Sequence, residues 1–284
     1  MHKNIIFLIV LALFASCDGG LDLQDEDSSQ IVVEGWIEKD GFPIVMLTRP
    51  LVVSTNYQSM DDLSDYIIRW AKITVNDGSE SVVLTGKYDS GYFPPYIYTT
   101  SRMRGEAGKH YSLTVEYRDS YATATTTIPS EPYQCNFKVE RCEGSDTLFQ
   151  IKAIIKDNPT EKDYYQFFTR VGTSTKQFQA AYLGTFDDSV IDSVAEIPIY
   201  RGRELKESNY IPFFLLSDTV SVKIAHIDQA SFRFWDSYTK ALSLSNNMFF
   251  SNSTDIETNL TVGQGYWCGY NSITSHIVIQ DSIK

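Results

Sequence analysis

No apolar run in this chain is long enough to cross a membrane. The longest, Ile5–Ala15, has eleven residues, whereas a spanning helix needs about 20. Positive charge is also scarce: 24 Lys and Arg stand against 36 Asp and Glu, a net charge of −12. That balance argues against nucleic acid or anionic lipid as a partner, because both are held by clustered basic side chains. Familiar catalytic motifs are missing. The chain has no Gly-x-Ser-x-Gly elbow, His-Glu-x-x-His pair, P-loop or Cys-x-x-Cys. Cysteines number four and histidines four, too few and too scattered to suggest a metal site.

What is present begins at the N-terminus. Lys3 precedes the Ile5–Ala15 run, and the small residues Ala15 and Ser16 lead into Cys17. A short apolar segment with this flank reads as a cleaved export signal over residues 1–16. Its small-small-Cys ending resembles a bacterial lipobox, which makes Cys17 the expected lipid-attachment site and mature N-terminus. Residues 17–30 are acidic and aperiodic, as a flexible tether would be. The cluster Asp25, Glu26, Asp27 resembles acidic signals that route lipoproteins to the outer face of the outer membrane; it reads equally well as a solvated linker.

From Ile31 the pattern is that of strands. Ile31–Ile37, Pro43–Leu47, Ala71–Val75, Ser81–Thr85, Tyr111–Tyr117 and Tyr121–Ile128 are β-branched or alternating. Lys39-Asp40-Gly41 and Asn76-Asp77-Gly78-Ser79 carry turn chemistry. A loop rich in Ser, Asn and Asp runs from about Ser54 to Asp65. Turns recurring about every ten residues, without helical periodicity, indicate an antiparallel sandwich of immunoglobulin-like type over 31–129. Pro129-Ser130-Glu131-Pro132 marks a boundary.

A second β-rich domain is expected over 133–284. Asn136–Val139, Leu148–Lys156, Tyr164–Arg170, Ala195–Tyr200, Asp218–Ala225, Leu260–Val262 and His276–Ile279 read as strands, with Asp157-Asn158-Pro159-Thr160 forcing a turn. One helix interrupts them at about 228–244. Asp228 is its N-cap, and Ala230, Phe232, Trp235, Tyr238, Ala241 and Leu242 recur at helical steps. Such an aromatic stripe is expected in the core. The expected fold is therefore all-β: two β-sandwich domains, the second with an inserted α-helix.

Beyond Cys17 the cysteines are Cys135, Cys142 and Cys268, an odd number. If Cys135–Cys142 is extended, its ends lie roughly 23 Å apart, beyond the reach of a disulfide. A bridge requires that segment to bend, or Cys268 as partner; all three are expected free and at least partly buried. His110, His226 and His276 are isolated and adjoin predicted strands, so they read as structural. A Cys268–His276 dyad would lack a third, orienting group. Gly263-x-Gly265-x-x-x-Gly269 departs from the dinucleotide fingerprint in its last spacing and suits close backbone approach instead. Asp77, Asp187 and Asp188 are better explained by turns than by calcium. No catalytic residue, metal or cofactor is expected.

Two surface features stand out. Tyr92, Phe93, Tyr96 and Tyr98 crowd one interstrand segment with Pro94 and Pro95. They are candidate ligand or partner contacts, or they fold back to cap the sandwich. Asp-Ser/Thr-aliphatic triplets at 146–148, 188–190, 192–194, 218–220 and 281–283 resemble an O-glycosylation sequon of Bacteroidota envelope proteins.

Several blocks together resemble the Bacteroidota lipoproteins grouped as "domain of unknown function 4249". They are Val32-Val33-Glu34-Gly35-Trp36-Ile37 after the tether, Arg104-Gly105-Glu106-Ala107-Gly108-Lys109-His110-Tyr111-Ser112-Leu113-Thr114-Val115, Asp157-Asn158-Pro159 before Tyr164-Tyr165-Gln166-Phe167, Tyr200-Arg201-Gly202 before Ser217-Asp218-Thr219-Val220, and Asn259-Leu260 before Gly263-Gln264-Gly265-Tyr266-Trp267-Cys268-Gly269-Tyr270. The resemblance implies an outer-membrane lipoprotein often encoded beside a TonB-dependent receptor, with no established catalytic site. The expected function is a non-enzymatic, lipid-anchored accessory or binding protein of a TonB-dependent transport system. A fimbrial or adhesive subunit is the first alternative, although the first mature arginine, Arg49, lies beyond the first predicted strand. A cell-envelope hydrolase is the second.

Overall fold

The computed structural model describes residues 31–50, 64–132, 134–156, 162–191, 193–203, 210–245 and 256–280. The signal segment 1–16, Cys17, the tether to residue 30, most of the 54–65 loop and the Asp157–Thr160 turn lie outside the described residues.

The first half contributes β1 (Val32–Glu38), β2 (Ile44–Thr48), β3 (Lys72–Asn76), β4 (Ser81–Val83), β5 (Thr85–Tyr88), β6 (Tyr96–Thr99), β7 (His110–Tyr117) and β8 (Ser120–Thr127). The second adds β9 (Cys135–Arg141), β10 (Leu148–Lys156), β11 (Tyr164–Val171), β12 (Gln179–Asp187), β13 (Val194–Ile199), β14 (Phe214–Leu215), β15 (Thr219–Ile227), helix α1 (Gln229–Ser245) and β16 (Gln264–Val278). The protein is an all-β sandwich fold with one helix among the described residues, as its alternation and turn spacing require. Alternate residues point to opposite faces, and they carry the core: Ile73 and Val75 of β3, then Tyr111, Leu113 and Val115 of β7, are all buried.

One sheet organises the whole. Its order is β12-β11-β15-β16-β1-β2-β6-β5. The fifteen-residue β16 joins the halves: Gln264–Tyr270 pair in parallel with β1, and Asn271–Val278 pair antiparallel with β15. Period-2 geometry then settles its two faces. Trp267 enters the first core, whereas Ile273 and Ile277 line the second. All three are odd-numbered, so one face of the large sheet roofs both cores. Below it lie β4-β3-β7-β8 on one side and β10 with β9, β13 and β14 on the other. The even-numbered Tyr266, Cys268 and Tyr270 point away from these cores, toward α1.

The expected boundary is thus crossed by a strand. The chain passes between the halves at Pro129–Ser130, where Asn271 Nδ2 donates to the Pro129 carbonyl at 2.9 Å and His226 Nδ1 to that of Ser130 at 2.9 Å. β16 then returns to the first sandwich, so residues 31–129 do not complete their own core: Leu260 and Trp267 belong to it. The glycines of this segment are there for close approach. Gly263 and Gly265 have φ of +87° and +102°, and a Cβ on Gly265 would meet the Val33 carbonyl oxygen at 1.9 Å.

Three local expectations change. Tyr96–Thr99, taken as loop, is a strand between β2 and β5. Gln179–Asp187 is a strand that its sequence hides, because the β11–β12 register shifts near Gln166–Phe168 and Leu183 adopts φ +54°. Leu260–Val262 is not a strand, though it lies along the β8 edge, with Thr261 N donating to the Thr123 carbonyl at 2.9 Å.

Candidate functional site

The large sheet's second face, opposite the two cores, collects the polar and aromatic chemistry. β1 contributes Glu34, Trp36 and Glu38, and β16 contributes Tyr266, Cys268, Tyr270 and Ser272. β15 adds Lys223, and β11 adds Phe168 and Arg170. Helix α1 covers one part. Asp228 starts it as expected: its Oδ1 accepts from Ser231 N at 2.8 Å, while its Oδ2 accepts from Thr126 Oγ1 and Thr127 N, each at 2.8 Å. The helical stripe packs into the core through Phe232, Trp235 and Tyr238, and Phe234 joins it. Phe234 and Trp235 are buried against Tyr266, whereas Ala230 is exposed.

Beside the helix, two loops close over the sheet and bring in the aromatic segment. Gly91 O accepts from Lys176 N at 2.9 Å and from Thr175 Oγ1 at 2.9 Å, and Lys176 Nζ meets Asp89 at 3.0 Å. Gln177 links the Phe93 loop to strand β1. Its Oε1 accepts from Phe93 N at 2.8 Å, and its Nε2 donates to Glu34 Oε1 at 3.2 Å. Tyr92 packs on Trp36, their ring centroids 6.3 Å apart. Tyr98 is 2 % exposed, and its hydroxyl donates to the Ile68 carbonyl at 2.9 Å and accepts from Ala71 N at 3.1 Å. Tyr96 packs edge-on against Tyr98, with its hydroxyl on the Arg69 carbonyl at 3.2 Å. The four aromatics therefore divide: Tyr96 and Tyr98 serve the first core, while Tyr92 and Phe93 sit at the junction of the halves. A neighbouring aromatic that the sequence reading did not single out, Trp70, is 89 % exposed.

Two carboxylates differ sharply here. Glu38 is compensated, with Lys223 Nζ at 2.9 Å and the Ser272 hydroxyl as a second partner. Glu34 receives Tyr266 OH at 3.1 Å and the Gln177 amide but has no cation against it among the described residues. Burial pushes its carboxyl up to about 7, and the two hydrogen bonds only partly oppose that. Sequence could not reveal this, because the helix and loops that desolvate Glu34 come from residues far along the chain.

Next to Gln177 the surface opens into a shallow cleft lined by Thr169, Arg170, Thr175, Gln179, Arg201 and Gly202, among others. Among the described residues, none that lines it is acidic. Gly202 fixes the far wall: its N donates to Thr169 Oγ1 at 2.8 Å, and a Cβ there would lie 2.5 Å from that of Gln179.

The remaining chemical groups are engaged in the fold. His110 Nδ1 pairs with Thr127 Oγ1 at 2.6 Å, and His276 Nδ1 with Ser221 Oγ at 2.9 Å. His226 lies between the Ser130 carbonyl and Asp163, whose Oδ1 is 3.3 Å from Nε2. Cys135, Cys142 and Cys268 are free. Cys268 and His276 lie on one strand roughly 26 Å apart. Asp77 accepts from Ser79 N, Ser79 Oγ and Glu80 N, which holds its carboxyl far below the usual range. Asp187 accepts from Ser189 N at 3.2 Å, and Asp188 from Asp163 N at 2.9 Å. Of the Asp-Ser/Thr-aliphatic hydroxyl residues, Thr147, Ser189, Ser193 and Thr219 are exposed. Ser282 lies outside the described residues, as does Cys17.

The profile of the family described as "Domain of unknown function (DUF4249)" matches residues 20–275. No curated protein matches the chain.

Proposed function

The chain belongs to the DUF4249 family, and from that premise we propose that it is a lipid-anchored accessory or binding protein of the outer membrane, working with a TonB-dependent importer. The export signal, Cys17 and the acidic tether support the anchor.

One relationship carries the reading. Ile31, the first described residue after the proposed tether, accepts at its carbonyl from Gln264 N at 3.0 Å, beside the start of β16. Arg170 and the cleft lie at the other end, in register through Ser221 with His276. From Gln264 to His276 a strand extends roughly 40 Å. That span supports the reading, because it separates the cleft from the first described residue beyond the proposed anchor.

Affinity purification of the tagged lipoprotein from outer membranes tests this. A β-barrel receptor recovered in stoichiometric amount is the expected result. A ladder of polymers would instead favour a fimbrial subunit, and recovery of the lipoprotein alone would overturn the accessory role.

A further inference from the structure

We infer that the cleft between Arg170 and Arg201 binds an anionic oxygen group of a small ligand: a carboxylate, phosphate or sulfate. The Arg170 guanidinium lies over the Phe178 ring at 4.6 Å, and Lys223 Nζ lies over the same ring at 4.4 Å. These two cations are not equally compensated. Lys223 has Glu38 at 2.9 Å, whereas Arg170 has no carboxylate partner among the described residues. Its donors are also poorly used. Nη1 reaches the Lys176 carbonyl and Nη2 reaches Ser221 Oγ only at 3.4 Å each, and the enclosed Nε has no partner. Bonds of that length are weak, and a half-buried guanidinium left so underused favours an anion.

The geometry suits an oxyanion in particular. Stacking on Phe178 orients the planar fork, which lowers the entropic cost of a two-pronged contact. Arg201 lines the same cleft, its Nε on the Ile211 carbonyl at 3.0 Å and its guanidinium over Tyr210 at 5.4 Å. The Gly202 contact with Thr169 holds that arginine beside β11. Two arginines thus line one cleft in a chain carrying 36 acidic and 24 basic residues, and Arg170 is the one without a carboxylate partner among the described residues. This assignment deepens the reading of the chain as a binding module, yet its test needs no receptor.

The full lipidated chain in non-ionic detergent is titrated with sodium sulfate, phosphate and acetate at constant ionic strength set by chloride, with thermal stability as the readout. Saturable stabilisation by at least one anion is expected, and the comparison of acetate with the tetrahedral anions separates carboxylate from phosphate or sulfate recognition. Arg170→Gln should weaken that binding roughly tenfold or more, the equivalent of one charge-assisted contact. Gln179→Glu, which adds a carboxylate to the cleft wall, should weaken it independently if Arg170→Gln proves unstable. Arg102→Gln, an exposed site in the first half, should leave it unchanged. Indistinguishable titrations for all four chains, or no stabilisation beyond chloride, would overturn the assignment.

Discussion

Gly35 faces Trp267 across the parallel pair of β1 and β16, and a Cβ on Gly35 would come within 2.9 Å of the indole Cε3. Trp267 is fully buried, with Nε1 donating to the Tyr111 carbonyl at 3.1 Å. The indole cannot move aside without losing that bond. Gly35→Ala therefore overpacks the seam and should destabilise the protein by about 1–3 kcal/mol. Urea unfolding measures this; an unchanged midpoint would show that the strand pairing tolerates a wider spacing.

Glu34 makes stability depend on pH in a definite direction. Unfolded, it titrates near 4.5; folded, it keeps its proton to about 7. Between those values the folded state binds more protons, so stability falls as pH rises. The loss approaches roughly 3 kcal/mol by pH 8. The neighbouring hydroxyls of Tyr266, Tyr270 and Tyr238 are pushed upward and stay protonated through this window. Glu34→Gln resembles the protonated carboxyl, so it should match wild type near pH 4 and exceed it at pH 8. Parallel wild-type and variant curves would refute the burial of an ionisable Glu34.

Asp228 ties the helix to the sandwich below it. Replacing it with Ala removes the cap on Ser231 and the bonds to Thr126 and Thr127. The expected cost is about 2 kcal/mol, more than a simple helix cap contributes. Asp228→Asn should recover part of this. Thermal unfolding of the three chains in one buffer decides the order.

The free thiols should differ in reactivity because burial raises each to a different extent. The Cys135 thiol is pushed up to about 12, Cys142 is raised, and Cys268 is raised further still by its enclosure under α1. Iodoacetamide followed by peptide mass spectrometry should find Cys142 labelled first and Cys268 only after unfolding. Native labelling of Cys268 as fast as Cys142 would mean that α1 opens readily.

Local patterns were legible. Alternation located β1, β3, β7 and β10 because side-chain period and burial are properties of a strand itself. Asp228 announced the helix because a cap acts on the next three residues. The candidate site was not legible to the same degree. Tyr92, Phe93, Tyr96 and Tyr98 could be noticed, but whether each faces solvent, core or the other half depends on Gln177, Trp36 and Ile68. The signal for the cleft was weaker: Arg170 and Arg201 are ordinary until Gly202 brings them to one place.

By itself the sequence determined an all-β chain with one helix, the turns between its strands and the residues that alternate into a core. Tertiary structure alone decided that the halves share one sheet. A parallel strand pair needs a long crossover, and here β1 finds its partner only after nearly the whole chain has passed. That same late pairing buries Glu34 under Tyr266 and commits Trp267 to the first core.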